Sequence, residues 1–391
     1  MACATSKPNN RKPATPTRKR SLNRSFYWIG IVSILVYVLS LIGAMATPSL
    51  DVSRDASESI SQWDRALTLP IRGMAINLHF NNDQVLYEQA VDEIAALGFN
   101  TLMISTPVFQ RDGAAETIRV QVGKGRGPAR KQLKALINLA HDKGLQVVLM
   151  PVVLFTHPRG NEWRGKIYPK NWEAWWASYR AAMAYFTALA VETNVEVLCV
   201  GSELLTTERQ TADWRNLIAR VRETYKGKLT YSANFNHYDW PGFWDRLDYV
   251  GVNAYFDLTK GKGDDAPQLL LDQSWRAHRD RLLAYGKRIG KPVLLTEVGY
   301  PSLPWAVSEP WNYTHDGSEA SDEAAQLRGY QAFLSAWGEL LLKDDDQPKE
   351  PVAGAIFYEW DPYVLGGQQD TGYGLKGKRV YGLVREWLKA N

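Results

Sequence analysis

From Ile71 onward, apolar runs of strand length alternate with longer stretches whose apolar residues recur at helical spacing. The short runs predict strands over 73–80, 101–106, 146–154, 195–203, 229–234, 249–255, 293–298 and 353–360. The longer stretches predict helices over 84–97, 129–143, 171–192, 211–225, 267–289, 320–342 and 379–389, with a short one near 241–246. Gly98, Gly144 and Gly290 each stand between a predicted helix and the next strand, where a left-handed residue closes a helix.

Eight strand–helix units in about 320 residues predict an α/β chain folded as a (β/α)8 TIM barrel. The rival, a doubly wound open sheet, would carry a phosphate loop after its first strand, and no such loop is present. Polar and aromatic residues gather just after the strands: His79 after the first, Asn234, Asn236 and His237 after the fifth, Tyr255 after the sixth, Trp360 after the eighth. In a barrel those strand ends form the catalytic face.

The N-terminal segment breaks this alternation. Residues 26–46 hold no charge over 21 positions, a helix of roughly 31 Å, enough to cross a bilayer core. Most of the flanking positive charge precedes the segment, which predicts a cytoplasmic tail and an extracytoplasmic body anchored in the membrane. The competing reading is a signal peptide cleaved near Ala46, because Ala44-Met45-Ala46 has the small-x-small form of a cleavage site. The predicted organisation is a basic tail (1–25), a transmembrane or signal-anchor helix (26–46), a linker (47–68) and the barrel (69–391).

Charge and composition narrow the chemistry. The chain is 45% hydrophobic and carries a net charge of +4. Seven of its 46 basic residues lie in 1–25 with no acid among them, so the remainder holds 39 basic against 42 acidic groups. A body without basic excess does not predict a nucleic-acid partner. Cys3 and Cys199 are too few for a disulfide scaffold, and the six histidines show no HxH or HExxH spacing, so no metal site is expected. GxSxG, Walker A and GxGxxG motifs are absent, and Gly123-Lys124-Gly125-Arg126-Gly127 reads as a surface loop.

Two glutamates carry the functional expectation. Val195, Val197, Cys199, Gly201 and Glu203 alternate onto one face of the fourth strand, and Val293, Leu295 and Glu297 do so on the seventh. Each glutamate ends an apolar strand, a place that disfavours charge unless the residue has a partner or a task. Paired carboxylates in a cleft are what glycosidic cleavage needs: one donates a proton to the leaving oxygen while the other attacks the anomeric carbon.

With VGSEL at strand four, LTEVGY at strand seven and FYEW at strand eight, residues 70–390 resemble the clan A glycoside hydrolases, and within them family 113, whose members are mainly β-mannanases. The resemblance implies a retaining reaction without cofactor, Glu203 as acid/base and Glu297 as nucleophile, with Tyr255 orienting Glu297. Many clan A enzymes carry Asn immediately before the acid/base; here the residue is Ser202, whose shorter hydroxyl reaches less far toward the sugar.

Trp360 is read as the floor under the cleaved sugar, an indole face against the C–H side of a pyranose. Ser202, Asn234, Asn236, His237 and His79 are read as further substrate contacts. Trp172, Trp175 and Trp176 sit at helical spacing and are read as packing, whereas Trp163, Trp240, Trp305 and Trp311 lie in βα loops as subsite candidates. Glu208 and Glu359 are assigned to surface or ion-pair roles, with Glu359 pointing away from the axis if Trp360 points in, and Asp361 receives no task. The expected function is hydrolysis of a β-linked, mannan-like polysaccharide or oligosaccharide. The alternatives are another extracytoplasmic glycosidase or transglycosylase acting on an exopolysaccharide, or an inactive, membrane-tethered polysaccharide-binding barrel. Polymer, endo or exo action and oligomeric state are not legible.

Overall fold

The computed structural model describes residues 67–79, 83–123, 125–314, 317–342, 351–367 and 369–390. The strands are β1 (Ile71–Asn77), β2 (Thr101–Gln110), β3 (Ile118–Arg119), β4 (Gln146–Phe155), β5 (Val197–Ser202), β6 (Lys228–Asn234), β7 (Val250–Asn253), β8 (Val293–Val298) and β9 (Val352–Phe357). All but β3 run parallel, each paired with the next, and β9 pairs with β1 to close an eight-stranded barrel. The short β3 pairs antiparallel with the end of β2.

Among the described residues seven helices alternate with the strands: α1 (Gln84–Leu97), α2 (Arg130–Asp142), α3 (Trp172–Glu192), α4 (Thr211–Thr224), α5 (Gln268–Ile289), α6 (Glu323–Leu342) and α7 (Arg379–Lys389). Between β6 and β7 a single 3-10 turn, Trp244–Arg246, stands where the pattern predicts a short helix. The (β/α)8 architecture is the expected one. The predicted anchor at 26–46 lies outside the described residues, and no helix among those described is long and apolar enough to cross a membrane.

Local chemistry sets the helix ends. Asp83 Oδ1 accepts from the amides of Val85 and Leu86, and Asn171 Oδ1 accepts from that of Ala174, so each caps a helix start. Gly98 and Gly290 close α1 and α5 at φ 99° and 72°, left-handed positions that cost glycine nothing.

The apolar residues form two concentric layers. Ala75, Met103, Val148, Val197, Cys199, Leu294 and Ile356 meet inside the barrel. Met74, Leu102, Val147, Leu198, Val250, Leu295 and Phe357 face outward and pack under the helices.

Alternation between these layers fails at two places. β5 shifts register between Cys199 and Ser202, and β8 shifts against both neighbours between Leu295 and Val298. Leu295 and Val298 both lie in the outer layer although they are three apart, so one extra residue is fitted between them. Such bulges re-aim a side chain at the price of local pairing.

Candidate active site

The bulges direct Glu203 and Glu297, and they correct the period-two expectation. Val195, Val293 and Leu295 face the helices, not the axis. Gly201 also faces outward: a Cβ there would stand 2.7 Å from the Trp214 ring and 2.9 Å from the Tyr179 hydroxyl, closer than any side chain allows. Glu203 turns inward from a left-handed backbone, φ 52°, a conformation that costs a non-glycine residue about 1–3 kcal/mol and needs surrounding support.

That support is visible. The Glu203 amide donates to Ser232 O at 2.9 Å. The next amide, of Leu204, donates to the Tyr231 hydroxyl at 2.8 Å, and that hydroxyl donates to Glu208 Oε1 at 2.9 Å. Glu208 is fully buried, not a surface or ion-paired acid as expected. Burial, aided by the charge of Glu203 and opposed by the Tyr231 hydrogen bond, pushes its carboxyl up to about 8. At neutral pH it is an uncharged acid bonded to Tyr231, whose ring packs against Trp214 and Phe243.

Glu297 is buried at the end of β8, and the Tyr255 hydroxyl donates to its Oε2 at 2.7 Å. Asn253 Oδ1 accepts from Ser232 Oγ at 2.5 Å and Thr296 Oγ1 at 3.0 Å, tying β6, β7 and β8 together beside the bulge. Burial first, then the charge of Glu203, raise the Glu297 carboxyl to about 7, against the pull of Arg164 and the Tyr255 hydrogen bond. The two glutamates therefore feel one another across a shared site. Tyr255→Phe removes a hydrogen bond to the charged form of Glu297. We expect kcat to fall about tenfold or more and the acid limb of the kcat/KM profile to move to higher pH, read from rates across pH 4–9.

Arg164, from the loop between β4 and α3, reaches into the same site and donates to Glu203 Oε2 at 2.6 Å. Burial disfavours its charge, but Glu203 and Glu297 more than offset that and hold the guanidinium firmly protonated. Sequence reasoning missed this residue, which lies in a loop without periodicity.

The far side of the site holds a second correction. Trp360 does not turn its ring toward the carboxylates: its Nε1 donates to Glu93 Oε2 on α1 at 3.0 Å, Lys376 lies over the ring, and the side chain belongs to the outer layer. Tyr358 and Glu359 turn inward instead. Asn77 Nδ2 donates to the Tyr358 hydroxyl at 2.8 Å and to Glu359 Oε2. Tyr358 packs against the barrel interior and edges onto Tyr255 and Tyr373. The physical reason is that β9 ends at Phe357, so strand alternation no longer governs residues 358–360. Burial raises the Glu359 carboxyl to about 7 against the Asn77 hydrogen bond.

His79 lies beside Asn77, Glu359 and Asp361 in a pocket near the β1 and β9 ends, its Nε2 2.9 Å from Ser105 Oγ. Burial and the Arg164 charge lower it to about 4, so the ring is neutral. Ser202 is buried next to Glu203 with its hydroxyl unpartnered, and Asn234 Oδ1 is likewise buried without a partner. Asn236 and His237 are not brought to the carboxylates. Asn236 lines a separate pocket with Phe235, Tyr238, Phe256, His278 and Arg281, and His237 packs edge-on against Trp240.

The chain is similar to known glycoside hydrolases over most of its length. A family 113 β-mannanase from Alicyclobacillus acidocaldarius, solved in complex with ManMIm, is 27% identical over 84% of this chain and 99% of its own, with a TM-score of 0.69. A second family 113 β-1,4-mannanase, 22% identical over 82% of this chain and 99% of its own at a TM-score of 0.69, shares the fold. So does an endo-1,4-β-D-mannanase from Thermotoga petrophila, 13% identical over 82% of this chain and 100% of its own at 0.51. A search among curated proteins finds no match. The model of glycoside hydrolase family 113 matches residues 76–378, from within β1 to the threshold of α7, and the chain therefore belongs to that family and is a glycoside hydrolase.

Proposed function

We propose that this chain is a retaining β-glycosidase that cleaves a β-linked, mannan-like hexosan outside the cytoplasmic membrane, to which residues 26–46 anchor it. The observation that carries the reading is the inward convergence of Glu203 and Glu297 on one site, each raised off its strand by a bulge and joined through Arg164 and mutual charge. The mannanase relative supports the substrate class.

In the first step Glu203 gives its proton to the glycosidic oxygen while Glu297, ionised and held by Tyr255, attacks the anomeric carbon. In the second, Glu203 takes a proton from water, which displaces Glu297 and restores the original anomeric configuration. The rings of Tyr358, Tyr255 and Tyr373 meet edge-on beside Glu297, with the Tyr255 hydroxyl given to Glu297 and the Tyr373 hydroxyl to Pro310 O.

Product analysis on β-mannan, glucomannan and mixed-linkage β-glucan, with proton NMR of the first anomer released, tests this reading. Mannan cleavage releasing the β-anomer first is expected. Initial release of the α-anomer, or inert mannans beside a rapidly cut glucan, would overturn it.

A further inference from the structure

Glu203 stands in a left-handed backbone, φ 52°, directly after β5 ends at Ser202. Such a conformation persists only where its surroundings over-determine it. Here β6 fixes the amides on both sides of the turn. The Glu203 amide donates to the carbonyl of Ser232, and the Leu204 amide donates to the hydroxyl of Tyr231, the residue before it. The first bond lies between backbone groups and does not depend on a side chain. The second depends on one phenol.

That phenol has a single proton and must place it where it does not compete with Leu204. Glu208 Oε1 accepts it at 2.9 Å, which leaves the Tyr231 oxygen to accept from Leu204 at 2.8 Å. Glu208 follows the 3-10 turn Leu205–Thr207, so positions 204 and 208 are the two ends of one short loop. The Tyr231 hydroxyl staples those ends together, and the Trp214 indole, donating to Thr207 O at 3.0 Å, ties the same loop to α4.

Packing alone does not account for an acid at position 208. Leu204, Glu208 and Tyr231 are all fully buried, Glu208 Oε2 has no partner, and among the described residues no cation pairs with this carboxyl. An acid in that position, whether charged or forced to keep its proton, works against folding. An apolar residue would remove that cost but leave the Tyr231 proton without its acceptor. The bond that Glu208 makes serves the loop that carries Glu203.

We infer that Tyr231 and Glu208 are positioning residues that act through the Leu204 amide to hold Glu203 in the orientation from which it serves the leaving oxygen; this rests on Glu203 being the acid/base. Glu297 is held separately, by Tyr255 at its carboxyl and by the Ser232–Asn253–Thr296 bonds beside its bulge. Loss of the staple therefore weakens acid/base catalysis and spares nucleophilic attack.

Tyr231→Phe, Glu208→Leu and Glu208→Gln, compared on β-mannan and on a dinitrophenyl β-mannoside, test this. Tyr231→Phe keeps the ring and removes both bonds, so kcat on mannan should fall about tenfold or more. Its dinitrophenol burst should keep a rate within about twofold of wild type, because that leaving group needs little protonation. A full burst amplitude shows that the variant chain is folded, and added azide should raise its steady-state turnover on this substrate. Glu208→Leu should behave in the same way. Glu208→Gln, whose amide oxygen still accepts from Tyr231, should stay within about threefold of wild type on both substrates. A merely structural role would lower the burst and mannan turnover together. Mannan turnover within about twofold of wild type in Tyr231→Phe, equal losses on both substrates, or a Glu208→Gln no better than Glu208→Leu would overturn the inference. Glu203→Ala run alongside separates the two readings. A leaving-group split in Glu203→Ala with none in Tyr231→Phe rejects the staple alone, whereas equal losses in Glu203→Ala reject the acid/base assignment and the staple's role with it.

Discussion

Replacing Glu297 by Ala should lower kcat on mannan by about 10⁴-fold or more, the scale of removing a covalent nucleophile. The loss is large because no neighbour can substitute. Glu359 is held by Asn77, which also donates to the Tyr358 hydroxyl, and Glu208 is buried behind Tyr231. A 2-fluoro sugar with an activated leaving group should leave a mass adduct on the wild-type chain within the peptide containing Glu297 and none on the variant. Near wild-type turnover in Glu297→Ala, or an adduct mapped to Glu359, would reject the assignment.

Glu203→Ala should behave differently according to the leaving group. On polysaccharide, where the departing sugar oxygen needs its proton, the rate should drop by about 10²–10⁴-fold. With a dinitrophenyl glycoside the first step needs little help, so the glycosyl-enzyme should form in a burst and then stall. Added azide, which requires no general base, should restore turnover and give the glycosyl azide of retained configuration. An equal loss on both substrates, with no response to azide, would mean that Glu203 does not serve as acid/base.

Whether a feature is legible in the sequence depends on how local its cause is. Strand and helix periods and the closing glycines Gly98 and Gly290 act within a few residues, and they make the barrel legible. Glu203 and Glu297 are recognisable as acids ending apolar strands. Their direction is not, because a bulge is an agreement between two strands far apart in the chain. Trp360 and Glu359 exchange places for a similar reason: alternation does not extend past Phe357, where pairing stops. Glu208 looks like a surface acid because nothing local announces that Tyr231, 23 residues later, will enclose it. Arg164 has no signal at all, since its loop has neither period nor motif and only the folded chain brings it to Glu203.

The extra residue in β8 and the register shift in β5 have a consequence for how this barrel can diverge. Because the aim of each carboxyl is set by a local irregularity, the apolar faces of β5 and β8 can exchange residues for packing without rotating either acid. Loss of one residue between Leu295 and Glu297, by contrast, would swing that acid out beneath the helices while leaving the strand's hydrophobic content almost intact. Chemistry and core are thus free to vary separately here, and the weak point they share is the count of residues along two strands.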